Sequence, residues 1–343
     1  MRLSPKPNIQ TRSNNQHFNP TLSPSLPTHL TGGCQPLTTM SGYPNYDPIA
    51  YISAHIALAA VLIPAAPVLR YLVARNVKAE GDSLRGGFKW LHAPLLCLFV
   101  TVVLLVANYA YILGVSLANP PVLLYGHFTH INRLGAVGGL FSLLIDITLV
   151  FCVSRLVSSV ASAGAATPRR VYGYLVLSAL GLSLAIYLAV FGFNIWSAEN
   201  GPGGRSIMER FRIVRAFTVI RIVGAILVML AAATVFVQAM QARKSAAATG
   251  MAWAARKLAI IAGLELFITV WLFVSTMVSL SGSIIGTHSV DVTGVSIASI
   301  IIMFWGSFGV MVMIYQLGKK REGGLWSDNR AKLERQSEEG ATA

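Results

Sequence analysis

The sequence predicts an all-α fold, a polytopic membrane bundle of seven transmembrane helices. Three observations carry that expectation. The chain has 343 residues and is 54% hydrophobic but only 12% charged, where an ordinary soluble domain carries about 25% charged residues. Its mean hydropathy is +0.62. From Ile49 onward, long apolar runs alternate with short polar connections, at about 49–69, 91–115, 134–156, 171–196, 214–239, 258–281 and 293–317. A helix needs roughly 20 residues to cross a hydrocarbon layer of about 30 Å, and each run reaches that length. Lipid offers no partner for free backbone N–H and C=O groups, so each crossing must be helical. Buried helices of a soluble bundle would show amphipathic stripes, whereas these runs are apolar all round.

Taken in order, the elements divide the chain into three parts. Residues 1–48 are rich in Pro, Ser, Thr and Asn, with no acid before Asp47 and no apolar core of signal-peptide length. Such a segment buries too little to fold and reads as a flexible extension, with Met40 as an alternative start. Residues 49–318 form the seven-helix domain. The first run contains His55 and the prolines Pro64 and Pro67, which should kink its inner end. The second holds Cys97 and Asn108 and ends near Tyr109 and Tyr111. The third carries Gly135 and Gly139 in GxxxG spacing with Gly138 beside them, then Asp146 and Cys152. Small residues let helices approach closely, so this pair serves packing and is a candidate face for a homo-oligomer. The fourth run is bounded by Tyr172, Tyr174 and Trp196, as an interfacial belt requires. The fifth contains Arg221, the sixth Glu265 and Trp271, and the seventh Trp305 and Tyr315. Residues 319–343 begin basic, with Lys319-Lys320-Arg321, and continue polar.

The net charge of +14 would suit nucleic acid, but no free basic domain exists to bind a duplex. The basic residues sit in short blocks between apolar runs, as topology determinants and headgroup contacts. Membrane lipids are thus the expected partners, and nucleic acid is not. Of 27 Lys and Arg residues, 18 fall in the 1–2, 3–4 and 5–6 connections and the tail, and 8 fall on the other side. The richer side is expected to be cytoplasmic, with the N-terminus extracellular or lumenal. The 4–5 connection runs against the trend, and its Glu209-Arg210-Phe211-Arg212 reads as an interfacial lumenal segment.

A charge at the bilayer centre costs about 2.5–3.5 kcal/mol on insertion scales, so the few polar groups inside the runs stand out. At ~1.5 Å rise per residue, His55, Asn108 and Arg221 fall roughly 8–12 Å below the outer surface. On the same rise, Asp146 lies at ~18 Å and Glu265 at ~20 Å. The stem of Arg221 could reach towards Asp146. Two readings stay open. The group is a buried cluster that fixes helix register, or it lines an outward polar cavity that binds, senses or moves a small lipophilic or weakly polar molecule. In the second reading His55, Asn108, Asp146, Arg221 and Glu265 are the ligand-binding set. An acid-catalysing membrane enzyme acting on a lipid or terpenoid is the alternative, with Asp146 and Glu265 as its acids.

Metals and cofactors find no pattern. Cys34, Cys97 and Cys152 are scattered, His55 has no ligand-spaced neighbour, and His127 with His130 is a histidine pair in a connection. Phosphate-loop, nucleophile-elbow and zinc-protease patterns are absent, as is the DxxD needed for a magnesium diphosphate site. No lysine lies within the seven runs, which excludes a retinal Schiff base. Rhodopsin-like receptors carry an acid-Arg-Tyr end on helix three, where this chain has Val153-Ser154-Arg155-Leu156. They carry Asn-Pro-x-x-Tyr on helix seven, where it has Val312-Met313-Ile314-Tyr315.

The stretch from Arg221 to Gly318 resembles uncharacterised seven-helix integral membrane proteins of filamentous fungi. The likeness lies in a long fifth helix, Arg256-Lys257 leading into the sixth, and a last helix from Gly294 that ends Tyr315-Gln316-Leu317-Gly318. It covers under a third of the chain. It implies a seven-helix membrane fold and carries no catalytic residue, cofactor or ligand with it.

Overall fold

A computed structural model describes residues 48–76, 83–118, 124–163, 170–199, 207–246, 251–285 and 292–320. The expectations for residues 1–47, for Cys34, for the tail beyond Lys320 and for the side chain of His127 lie outside the described residues. Helices α1 (Pro48–Ala60) and α2 (Leu62–Asn76) make the first span. A 3₁₀ turn, Ser83–Leu91, leads into α3 (His92–Ala118). Then come α4 (Leu124–Ala163), α5 (Arg170–Glu199), α6 (Ile207–Ser245) and α7 (Ala252–Ile285). The last span joins α8 (Val292–Ser299) to α9 (Gly306–Lys319) through a π-helical segment, Ile300–Trp305. No strand occurs among the described residues. Seven helical segments are long and apolar enough to cross a bilayer, so the chain is a multi-pass membrane protein with an all-α bundle.

The first span breaks at Val61, between α1 and α2. Pro64 has no N–H for the carbonyl of Ala60 and its ring crowds that group, so the ladder fails one turn before the prolines. The break therefore falls near the middle of the span, not at its inner end. The carbonyls closing α1 lose intrahelical partners, and Trp305 Nε1 donates to one of them, Leu58 O, at 3.1 Å.

Helix α4 is the central post. Half of its most apolar window is buried, against 28% for the first, second and fourth spans, and it touches α3, α5, α6, α7, α9 and the 3₁₀ turn. Gly87 in that turn lies so close to α4 that a Cβ would come within 2.7 Å of Leu156 Cδ2. Hydrophobic side chains that face lipid, such as Leu175, Leu182 and Leu188 on α5, stay exposed, because lipid tails are as apolar as leucine.

Helices α6 and α7 pack on each other, and Gly263 of α7 faces the ring of Phe236 on α6. Buried positions on α6 include Ala225, Val228, Ala232, Val235, Ala239 and Ala242. Those on α7 include Ala254, Leu258, Ile261, Glu265, Ile268 and Leu272. Steps of three and four keep such positions on one stripe of a helix, and alanine permits a short interhelix distance. The α7 stripe turns away from Gly263 and towards α4 and α9: Glu265 interacts with Asp146 of α4, and Gly306 of α9 lies against Ile268.

At one end of the bundle polar and aromatic contacts tie the first and sixth spans to the seventh, and the 3₁₀ turn to the third. Asn76 Nδ2 donates to the Tyr315 hydroxyl at 2.9 Å. Lys320 Nζ lies 4.0 Å from the Trp253 ring centroid, and Arg155 stacks over Phe151, which meets Trp90 edge-on. Hence Asn76, which precedes the 1–2 connection, and Lys320, which opens the tail, lie at the same end, as an odd number of antiparallel spans demands.

Candidate functional site: a cavity between α3, α4, α5 and α6

At the opposite end, α3, α4, α5 and α6 enclose a partly open cavity of about 460 Å³. Its α4 wall is built from Gly135, Ala136 and Gly139, with Leu140 and Leu143 deeper. A Cβ on Gly139 would meet nothing within 4 Å, and one on Gly135 would lie 3.7 Å from Asn108 Nδ2. Gly138, by contrast, packs on Leu104 of α3. The two glycines thus open space inside one chain, while Gly138 sets the α3–α4 contact.

The other walls combine aromatic and polar groups. Phe193 of α5 stacks on Phe217 of α6 at 3.7 Å and 6°. Asn108, Asn132, Asn194, Ser197, Thr218 and Arg221 add hydrogen-bonding groups. Arg221 is the one charged group among the described lining residues. Beside the cavity, Arg133 and Glu199 form an exposed ion pair at 3.3 Å that joins α4 to α5.

Tyr187 also lines the cavity. Its side chain is 1% exposed and its hydroxyl has no hydrogen-bond partner among the described residues. It interacts electrostatically with both Asp146 and Arg221. Its ring lies against α6, where a Cβ on Gly224 would come within 2.7 Å of Cε1. Ser183 Oγ, one turn earlier on α5, donates to Ala179 O and to Gly224 O, which marks the same close approach.

Of the five residues singled out from the sequence, two line this cavity: Asn108 and Arg221. Arg221 makes no ion pair with Asp146; among the described residues it has no hydrogen bond or ion pair at all. Tyr187 lies within electrostatic reach of both groups.

His55 faces elsewhere. Its Nδ1–H donates to Tyr51 O at 2.8 Å, and Nε2 accepts from the Ser296 hydroxyl at 3.0 Å. The carbonyl can only accept, which assigns the tautomer. Its ring packs between Tyr51 and Tyr109, so His55 joins the first, second and seventh spans. His130 is exposed on α4.

Asp146 and Glu265 are buried between α4 and α7, off the cavity wall, at 1% and 2% exposure. They interact electrostatically. Asp146 Oδ2 and both Glu265 oxygens lack hydrogen-bond partners among the described residues. Cys152 and Cys97 are buried free thiols. No group of three or more metal-binding side chains occurs among the described residues. Trp271 Nε1 donates to Ser299 Oγ at 3.2 Å, so the deep tryptophans Trp271 and Trp305 both anchor the seventh span.

Tyr187 is the residue that sequence reasoning missed. A phenol in the middle of the run 171–196 carries a desolvation cost like any other buried hydroxyl, and that was the available signal. Asn132 lies just before the run 134–156 and Asn194 near the end of 171–196, where a polar group is not conspicuous. Comparison with protein-family models, with curated proteins and with solved structures finds no match to this chain.

Proposed function

We propose that this protein binds, and thereby senses or moves, a small lipophilic or weakly polar molecule in the cavity between α3, α4, α5 and α6. The observation that carries the reading is the cavity of about 460 Å³, walled by stacked aromatics and by polar groups that include Arg221. Ligand sites are typically concave, roughly 300–1,000 Å³, mostly apolar and marked by a few placed polar groups. Acid catalysis is less well supported, because Asp146 and Glu265 lie off the cavity wall and reach no molecule seated there.

The charge distribution supports an orientation. The end formed by Asn76, Trp253 and Lys320 carries the richer basic connections and faces the cytoplasm under the positive-inside rule. The cavity then opens to the extracellular or lumenal side.

Filling the cavity tests the reading. Gly139→Phe adds a ring where a Cβ has open space. Native mass spectrometry of protein released from its own membrane should find a small-molecule adduct on the wild type and none on Gly139→Phe, with both unfolding at similar temperatures. The same adducts on both proteins would remove the cavity from the account.

A further inference from the structure

We infer that the cavity takes an amphipathic organic anion, with a single carboxylate or phosphate-type head on an apolar body, held at the head by Arg221. The inference rests on the binding reading above and names the class of molecule bound.

Charge is the first argument. Arg221 lies within a membrane span and lines the cavity, yet no acid pairs with it among the described residues. Glu199, close in sequence to the lining residue Ser197, is engaged by Arg133. A guanidinium at this depth is costly unless a counter-charge or polar group meets it. No acid lines the cavity among the described residues, so a cationic guest would meet only repulsion. A neutral guest would leave the charge unanswered. An anionic head answers it, and the planar fork of arginine matches the two oxygens of a carboxylate or phosphate.

The neutral groups agree. Tyr187 presents a buried hydroxyl with no partner among the described residues, and Asn108 reaches the same wall from α3. The Asn108 amide supplies an uncharged donor to an oxyanion's hydrogen bonding, while the Tyr187 hydroxyl, buried behind the wall, backs Arg221. The aromatic face of Phe193 and Phe217 and the open floor at Gly139 suit an apolar chain or ring. The lining therefore offers one charged group beside aromatic and open apolar surface, as an amphiphile requires.

Two sources share this chemistry, a free amphipathic acid and an anionic lipid of the bilayer. Full-length protein in phosphatidylcholine nanodiscs should bind decanoate or decyl phosphate about tenfold or more tighter than decanol, after subtraction of empty discs. Arg221→Gln should abolish that preference and leave decanol unaffected, while Arg221→Lys keeps part of it and guards against a folding defect. Exchanging part of the phosphatidylcholine for phosphatidylglycerol should weaken decanoate binding if the bilayer lipid is the occupant and leave it unchanged if a free acid is. Equal affinity for decanol and decanoate, or a preference that survives Arg221→Gln, overturns the anion assignment and leaves the cavity reading standing. If no probe binds and Gly139→Phe behaves as wild type, the cavity reading falls first and takes this one with it.

Discussion

Tyr187 owes its position to Gly224. The ring edge would meet a Cβ there at 2.7 Å, and Ile186 Cγ2 would meet it at 3.1 Å. A fixed aromatic ring yields less than the end of a flexible chain. Gly224→Ala should therefore cost about 1–3 kcal/mol, as overpacking does, read as a lower unfolding temperature in detergent. Gly114→Ala is the control, since a Cβ there meets nothing and removing a helix glycine gains up to about 1 kcal/mol in soluble hosts. Equal effects at the two sites would deny the close approach. The acids give a second residue-scale prediction. Asp146 and Glu265 are two acids sharing a dry site, where charge on one opposes charge on the other, with oxygens lacking partners among the described residues. Removing either acid while keeping shape should raise stability or leave it unchanged. Asp146→Asn with Glu265→Gln should gain less than the sum of the singles, because either one relieves the shared repulsion. Additive losses in thermal unfolding would show that the two do not act as a pair. The cost of a carboxyl in an apolar run made both legible in the sequence; that they sit off the cavity depends on which way α4 and α7 turn, which hydropathy does not report.

At the scale of elements, the break in the first span and the π segment of the seventh belong together. Pro64 cannot donate to Ala60 O, which breaks the ladder at the end of α1, and Trp305, the last residue of the π segment, donates its indole N–H to Leu58 O in the same last turn. A π segment adds a residue to the turn and is frequent where a helix must present side chains out of regular register. Trp305→Phe should cost about 1 kcal/mol by leaving a part-buried acceptor unmet. In a Pro64→Ala background, where the helix can close through Val61, the same change should cost less by about 0.5 kcal/mol or more. An identical cost in both backgrounds, by thermal unfolding, would mean that the indole bond does not depend on the break at the proline. The prolines announced a bend in the sequence, but its place one turn upstream follows from the i−4 clash and not from where the prolines stand. The buried alanines three and four apart on α6 were in the sequence too, yet which neighbours they meet becomes visible only once the helices are placed.

At the scale of the molecule, the seven spans were legible because lipid strips a helix of any need for an amphipathic stripe. Their lengths were not. Helix α4 has 40 residues and α6 has 39, about 60 Å each, twice the hydrocarbon thickness. Polar turns such as Leu124–Arg133 carry no hydropathy signal although they continue the helix. The cavity sits at the end where α4 and α6 begin, so its biological meaning depends on which side that end faces. Single cysteines placed in a cysteine-free background and labelled on intact cells or sealed vesicles decide this. Positions in 119–123 and 200–206 should react with an impermeant maleimide, while those in 77–82, 164–169 and 247–250 should react only after permeabilisation. The alternation itself follows from the spans, since neighbouring connections must behave oppositely. The sign follows from 18 basic residues against 8 and from the positive-inside rule. An inverted pattern would keep the bundle and turn the cavity to the cytoplasm, so that any anion held by Arg221 would come from inside the cell. A pattern that failed to alternate would remove a span from the bundle.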